Sequence, residues 1–213
     1  MSISTIILAG GRATRMGGID KGQILFQKKP LIAHVVARLI PQTDEILINA
    51  NRAIEAYKTL GYRVLQDEIA DYAGPLAGMQ LGLKYASCNY VLTAPCDSPL
   101  LPLNLAERLQ AALTKNNADI AIVTSHGNSY PVFCLCKKSV LPSLNNYLTR
   151  DGRKVREWQE SLNHVYVDFS DCDDAFTNLN TQEDLNNLET KLKTATTNQP
   201  REANSILKAI NKQ

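Results

Sequence analysis

The run Ile3-Ser4-Thr5-Ile6-Ile7-Leu8-Ala9 constrains this chain more than any other part of it. It is short, mostly apolar and rich in β-branched residues, the pattern of a strand buried on both faces, and it stops abruptly at Gly10-Gly11. A strand of that kind needs cover above and below, so it belongs inside a sheet flanked by helices.

The following residues supply such cover. Pro30 opens a segment in which Ile32, Val35, Val36, Leu39 and Ile40 fall on one helical face. Residues 45–50 read as a second strand, 54–60 as a short helix closed by Gly61, and 62–65 as a third strand. Leu76, Met79, Gly82 and Leu83 mark another helix, 90–94 a strand, Leu105, Leu109 and Leu113 a helix, and 118–123 a strand. The second half is less regular. It offers a strand at 130–136, a helix carrying Val155, Trp158 and Leu162, and an alternating strand of Val165, Val167 and Phe169. Thr181-Gln182-Glu183-Asp184 reads as a helix start with Leu185, Leu188 and Leu192 behind it, and from residue 194 a polar, frayed tail is expected. The alternation predicts an α/β fold: a single three-layer domain with a mostly parallel central sheet and helices on both faces.

At 213 residues the chain suits one sizeable domain. Its 23 Lys+Arg against 21 Asp+Glu leave a net charge of +2, too balanced for a nucleic-acid partner. No run reaches the roughly 18–20 apolar residues that would point to a membrane, and residues 1–11 lack the basic and apolar regions of a signal. A cytoplasmic protein is expected. The five cysteines include no C-x-x-C pair. Cys134 and Cys136 would share one face of a strand, where buried reduced thiols are expected.

Two stretches carry candidate chemistry. In Leu8-Ala9-Gly10-Gly11-Arg12-Ala13-Thr14-Arg15-Met16-Gly17-Gly18-Ile19-Asp20-Lys21, four glycines follow the buried strand directly, and Arg12, Arg15 and Lys21 face the single carboxylate of Asp20. Backbone donors and fixed cations at the carboxyl end of a parallel strand suit a polyphosphate. A solvated surface loop is the plainer alternative. Neither G-x-G-x-x-G nor G-x-x-x-x-G-K-[ST] occurs, which sets aside ordinary dinucleotide sites and P-loops. In Pro95-Cys96-Asp97-Ser98-Pro99 a carboxylate appears between two prolines as a strand ends. Opposite a cationic phosphate loop, Asp97 suits Mg²⁺, which takes few carboxylates plus substrate phosphates; taken alone, it is equally a turn residue. Asn49 and Asp67, also at predicted strand ends, offer an amide and a carboxylate to a base or ribose, or are simply turn residues. Asp71-Tyr72-Ala73-Gly74-Pro75-Leu76-Ala77-Gly78 is a turn opening a helix whose N-terminus can accept negative charge. The three histidines form no motif, and His34 reads as structural or surface.

These motifs resemble the nucleotidylyltransferases with a Rossmann-like, glycosyltransferase-A type fold, and among them the molybdenum cofactor guanylyltransferases. The resemblance continues through Asn49-Ala50-Asn51-Arg52, Gly74-Pro75-Leu76-Ala77-Gly78-Met79, Pro95-Cys96-Asp97-Ser98-Pro99, Asp168-Phe169-Ser170-Asp171 and Phe176-Thr177-Asn178-Leu179-Asn180-Thr181. It implies a nucleotidyltransferase domain over residues 1–193, with 194–213 as the tail. It also implies transfer of GMP from Mg·GTP to the terminal phosphate of molybdopterin, with molybdenum bound, releasing pyrophosphate. By resemblance, Leu8, Ala9, Gly10, Gly11, Lys21, Asn49, Asp67 and Gly78 bind GTP, and Asp97 binds Mg²⁺. Arg15, Lys21 and Asp97 form the catalytic set, and Asn178 and Asn180 lie on the pterin side. Contacts with cofactor-synthesis proteins and recipient molybdoenzymes are expected on the same ground. Tyr130-Pro131-Val132 departs from the family, whose members often carry His or Gln before the proline. Gly11 favours guanine, since cytidylyl relatives tend to carry Ala-Ala-Gly there. Cytidylyl transfer to molybdopterin, transfer to a sugar phosphate, and a non-catalytic nucleotide-binding module are the alternatives.

The net charge conceals a local asymmetry. Residues 12–29 hold five Lys/Arg and one Asp, whereas residues 151–189 hold ten Asp/Glu and three Lys/Arg.

Overall fold

The computed structural model describes residues 1–11, 20–68, 74–172, 175–176, 179 and 182–198. Its main sheet places β1 (Ile3–Leu8) third in the order β5 (Arg63–Leu65), β4 (Glu45–Asn49), β1, β6 (Tyr90–Pro95), β8 (Asn128–Lys137), β7 (Ile120–Ser125), β9 (His164–Asp168). A separate two-stranded ribbon joins β2 (Leu25–Phe26) to β3 (Lys29–Pro30). Strands β5, β4, β1 and β6 run parallel to one another, as do β7 and β9. β8 runs antiparallel to both β6 and β7.

The predicted strand at 130–136 is therefore the sheet's one reversed member among the described strands, and it is longer than its apolar core suggests. The cause is local. His126 and Gly127 both have positive φ (47° and 76°), the backbone of a tight two-residue turn that joins antiparallel strands. The β7–β8 register then slips, with Ile122 opposite Cys134 but Val123 opposite Tyr130. Pro131 lies in this bulge, where its missing N–H breaks no ladder bond. Two buried side chains hold the bulge carbonyls: Thr93 Oγ1 donates to Val132 O (2.7 Å) and Gln159 Nε2 to Pro131 O (2.8 Å).

Helices cover both faces, as the alternation predicts. On one side, α1 (Leu31–Leu39), α2 (Ile54–Lys58) and α4 (Leu105–Lys115) pack with Ile3, Ile7, Ile48, Leu92 and Phe133. On the other, α3 (Pro75–Tyr85), α5 (Leu141–Thr149) and α6 (Val155–Glu160) pack with Ile6, Leu47, Val91 and both Cys134 and Cys136. The two cysteines share a face and are buried free thiols. Helix α5 has no counterpart in the sequence reading, although Leu144 and Leu148 on its buried face stand four apart.

A second unit begins at Leu179, and its helix α7 (Gln182–Asn198) runs five residues into the stretch expected to fray. Thr194 Oγ1 donates back to the carbonyls of Thr190 (3.1 Å) and Lys191 (2.8 Å), so its hydroxyl is satisfied within the helix.

Candidate active site

Leu8 pairs in register with Asn49 of β4 on one side and Pro95 of β6 on the other. Three strand ends therefore open side by side across two inter-strand spacings, about 10 Å. The connections that lead into the two neighbours cover opposite faces of the sheet, α1 before β4 and α3 before β6. The ends of β1 and its neighbours there form the crevice where open α/β sheets bind ligands. The chain is pinned there: Ala9 N–H donates to Asn49 O (2.8 Å), and Cys96 N–H donates to Leu8 O (3.1 Å). The amide of Ala9 thus holds β4, and the glycine pair begins where the ladder ends.

On the β6 side, Asp97 is 6% exposed and its Oδ2 accepts from Lys21 Nζ at 3.2 Å. Lys21 begins a 3₁₀ turn, residues Lys21–Gln23, capped by Asp20, whose Oδ1 accepts from Gly22 N–H (3.2 Å). The segment after Asp97 is held from α1 and from the 3₁₀ turn that follows it, Ile40–Gln42. Arg38 Nη1 donates to Leu101 O (3.0 Å), and Gln42 Nε2 to Pro102 O (2.9 Å). Gln42 Oε1 accepts from Ala106 N–H (3.0 Å), satisfying a donor in the first turn of α4. Burial, followed by the nearby Asp97 charge, pushes the Cys96 thiol well up, so it stays protonated and is a poor nucleophile.

On the β4 side, Asn49 is 3% exposed, and its Nδ2 donates to Asp67 Oδ1 (2.8 Å) and to Leu65 O (3.4 Å). Asn51 completes the group: its Nδ2 donates to Asp67 Oδ2 (2.6 Å), and its Oδ1 accepts from Asp67 N–H (2.9 Å). Two glycines make room for these amides. A Cβ on Gly10 would stand 3.0 Å from Asn49 Oδ1 and 3.1 Å from Asn51 Nδ2. One on Gly78, within α3, would stand 2.4 Å from Asn49 Oδ1 and 2.5 Å from Leu8 Cδ2. Gly78 is thus the close contact through which α3 seats Asn49. Gly11 is exposed, and its carbonyl accepts from Arg52 Nη2 (3.2 Å).

The expected residues therefore gather as two pairs, Lys21–Asp97 and Asn49–Asp67, on either side of Leu8. Arg15, Asn178 and Asn180 lie outside the described residues, as do Arg12, Asp71 and Tyr72. Sequence reasoning assigned nothing to Asn51, Arg52 or Gln42. The first two stand inside the quoted Asn-Ala-Asn-Arg motif, whereas Gln42 carries no local signal. Among the described residues, no group of three or more His, Cys, Asp and Glu is gathered as a metal cage.

A family model described as the MobA-like NTP transferase domain matches residues 5–165. A curated molybdenum cofactor guanylyltransferase from Polynucleobacter asymbioticus is 48% identical over 195 residues, covering 90% of this chain and 98% of the relative. The chain belongs to this family. Another member with the same name, from Vibrio campbellii, is 47% identical over 182 residues, covering 85% of this chain and 92% of its own length. Solved structures share the family fold. Molybdopterin-guanine dinucleotide biosynthesis protein A from Archaeoglobus fulgidus superposes with a TM-score of 0.73 at 21% identity, covering 90% of this chain and 99% of its own. A 4-diphosphocytidyl-2C-methyl-D-erythritol synthase from Anaerococcus prevotii gives 0.71 at 16% identity, covering 90% and 96%. As a member of the family, this chain is a nucleotidyltransferase.

Proposed function

We propose that this chain acts in the cytoplasm as a molybdenum cofactor guanylyltransferase, transferring GMP from Mg·GTP to the terminal phosphate of molybdopterin, with molybdenum bound, and releasing pyrophosphate. The observation that carries this reading is the pair of polar clusters flanking the end of β1, Asn49, Asn51 and Asp67 on one side and Lys21 and Asp97 on the other. On this reading the first takes the base and the second the phosphates. Each Asp67 oxygen already accepts one amide bond and keeps a lone pair for the N1–H and N2–H donors of guanine. The Lys21 ammonium, two strands away, meets the triphosphate.

The reaction is in-line attack by an acceptor phosphate oxygen on the α-phosphorus: that P–O bond forms as the α–β P–O bond breaks. No side-chain nucleophile is required, and positioning with charge neutralisation supplies the catalysis. Asp97 fits Mg²⁺, because a single buried carboxylate beside a cation leaves the ion's other positions to substrate phosphates and water. Bound there, Mg²⁺ neutralises charge on the triphosphate. Gly10 and Gly11 let the backbone approach the phosphates, Arg15 stabilises the transferring phosphate, and Asn178 and Asn180 contact the pterin. Delivery to recipient molybdoenzymes through transient contacts belongs to the same proposal.

Thermal unfolding with each nucleoside triphosphate and Mg²⁺ tests the base assignment. GTP should raise the midpoint, by about 2.7 kcal/mol of stabilisation at a hundredfold excess over Kd. Stabilisation by CTP and not by GTP overturns it.

A further inference from the structure

Tyr57 stands on α2, outside the crevice, and its side chain is fully buried. Its hydroxyl nevertheless donates to Oδ1 of Asp20, the residue that caps the Lys21 turn. We propose that Tyr57 is a positioning residue for Lys21, its hydroxyl fixing the Asp20 carboxylate and so the turn from which Lys21 reaches Asp97. The proposal rests on the nucleotide-binding reading above and assigns that site a further residue.

Three observations converge on it. The same Asp20 oxygen accepts from Gly22 N–H (3.2 Å), so one carboxylate joins the turn's backbone to the buried phenol. The turn is closed by Gln23 N–H to Asp20 O (3.0 Å) and Ile24 N–H to Lys21 O (3.2 Å), leaving Lys21 little freedom once Asp20 is held. Gly22 is also the residue against which the phenol rests: a Cβ there would lie 2.4 Å from Tyr57 Oη. A side chain at position 22 therefore displaces the hydroxyl from Asp20. Burial holds the phenol protonated throughout the working range, so it remains a donor to the carboxylate.

A double-mutant cycle of Tyr57→Phe and Lys21→Ala tests this, read by Mg·GTP titration and by steady-state kinetics. Tyr57→Phe keeps the ring and removes a hydrogen bond to a charged group, so GTP affinity should fall on the order of tenfold. The KM for GTP should move with it, and the KM for molybdopterin should not. In the Lys21→Ala background the same change should cost less than about twofold, because its route to the nucleotide is gone. A merely structural role gives equal losses in both backgrounds, and that result, or no loss in the first, overturns the proposal. If Lys21→Ala alone leaves GTP affinity unchanged, the phosphate-site reading itself fails, which is a separate outcome. Should Tyr57→Phe not fold, Asp20→Ala takes its place in the cycle, with the same two results deciding, and Asp20→Asn should recover part of the affinity.

Discussion

Two glycines one turn apart on α3 allow the proposed seating of Asn49 to be tested apart from the packing of the helix. Gly78 and Gly82 both face β1, and neither leaves space for a methyl group. At Gly78 a Cβ would meet Asn49 Oδ1 at 2.4 Å and Leu8 Cδ2 at 2.5 Å; at Gly82 it would meet Ile6 Cγ2 at 2.5 Å and Ile6 Cβ at 2.8 Å. Overpacking a well-filled interior costs about 1–3 kcal/mol, and replacing a mid-helix glycine by alanine returns about 1 kcal/mol. Each substitution should therefore destabilise by up to about 2 kcal/mol, or up to about 4–8 °C in Tm for a chain of this size. The two should differ in binding. Gly78→Ala pushes the Asn49 amide off Asp67, and GTP affinity should fall at least about tenfold. Gly82→Ala strains Ile6, mid-strand and opposite no nucleotide group, and affinity should stay within about twofold. Melting curves paired with Mg·GTP titrations make the comparison. Equal losses of affinity, or normal affinity in Gly78→Ala, would refute the claim that α3 seats the base-reading amide.

Further expectations follow from the same geometry. Asp97→Ala should abolish nucleotidyl transfer while the protein still melts cooperatively; wild-type turnover would remove Asp97 from the mechanism. Gln42→Leu removes the bonds to Pro102 O and Ala106 N–H and should lower stability by about 1–3 kcal/mol in chemical denaturation; an unchanged midpoint would show that the loop after Asp97 is held without it. Burial, against the Phe26 carbonyl bond, keeps the His34 pKa below its ordinary value, so the unfolded chain takes up that proton first. The stability His34 contributes is complete above about pH 6.5 and is lost as pH falls from there toward the folded pKa. Wild type should accordingly lose more stability than His34→Gln between about pH 7.5 and pH 5.5, and parallel pH profiles would contradict this.

Much of the site was readable because its residues stand where strands end. The apolar run stopping at Gly10-Gly11 and the carboxylate held between Pro95 and Pro99 both announce a crevice in one dimension. The pairing of Asn49 with Asp67 did not, since it depends on β4 and β5 lying side by side. The hidden support lies further from local pattern. Gln42 reaches a loop some 60 residues away, and Tyr57 meets Asp20 across 37 positions; no periodicity records such contacts. Strand direction was equally opaque. The apolar run of β8 reads alike in either sense, and its reversal is set by the backbone at His126-Gly127. Gly78, expected by resemblance among the GTP-binding residues, stands within α3, where a side chain would collide with Asn49 and Leu8, a contact that no local pattern announces.

Transfer of label from α-³²P-GTP to molybdopterin, with pyrophosphate measured alongside, tests the central claim most directly. The account expects a labelled dinucleotide and one pyrophosphate released per transfer, both abolished in Asp97→Ala. Label passing to the acceptor from CTP and not from GTP, or GTP bound without transfer, would contradict it.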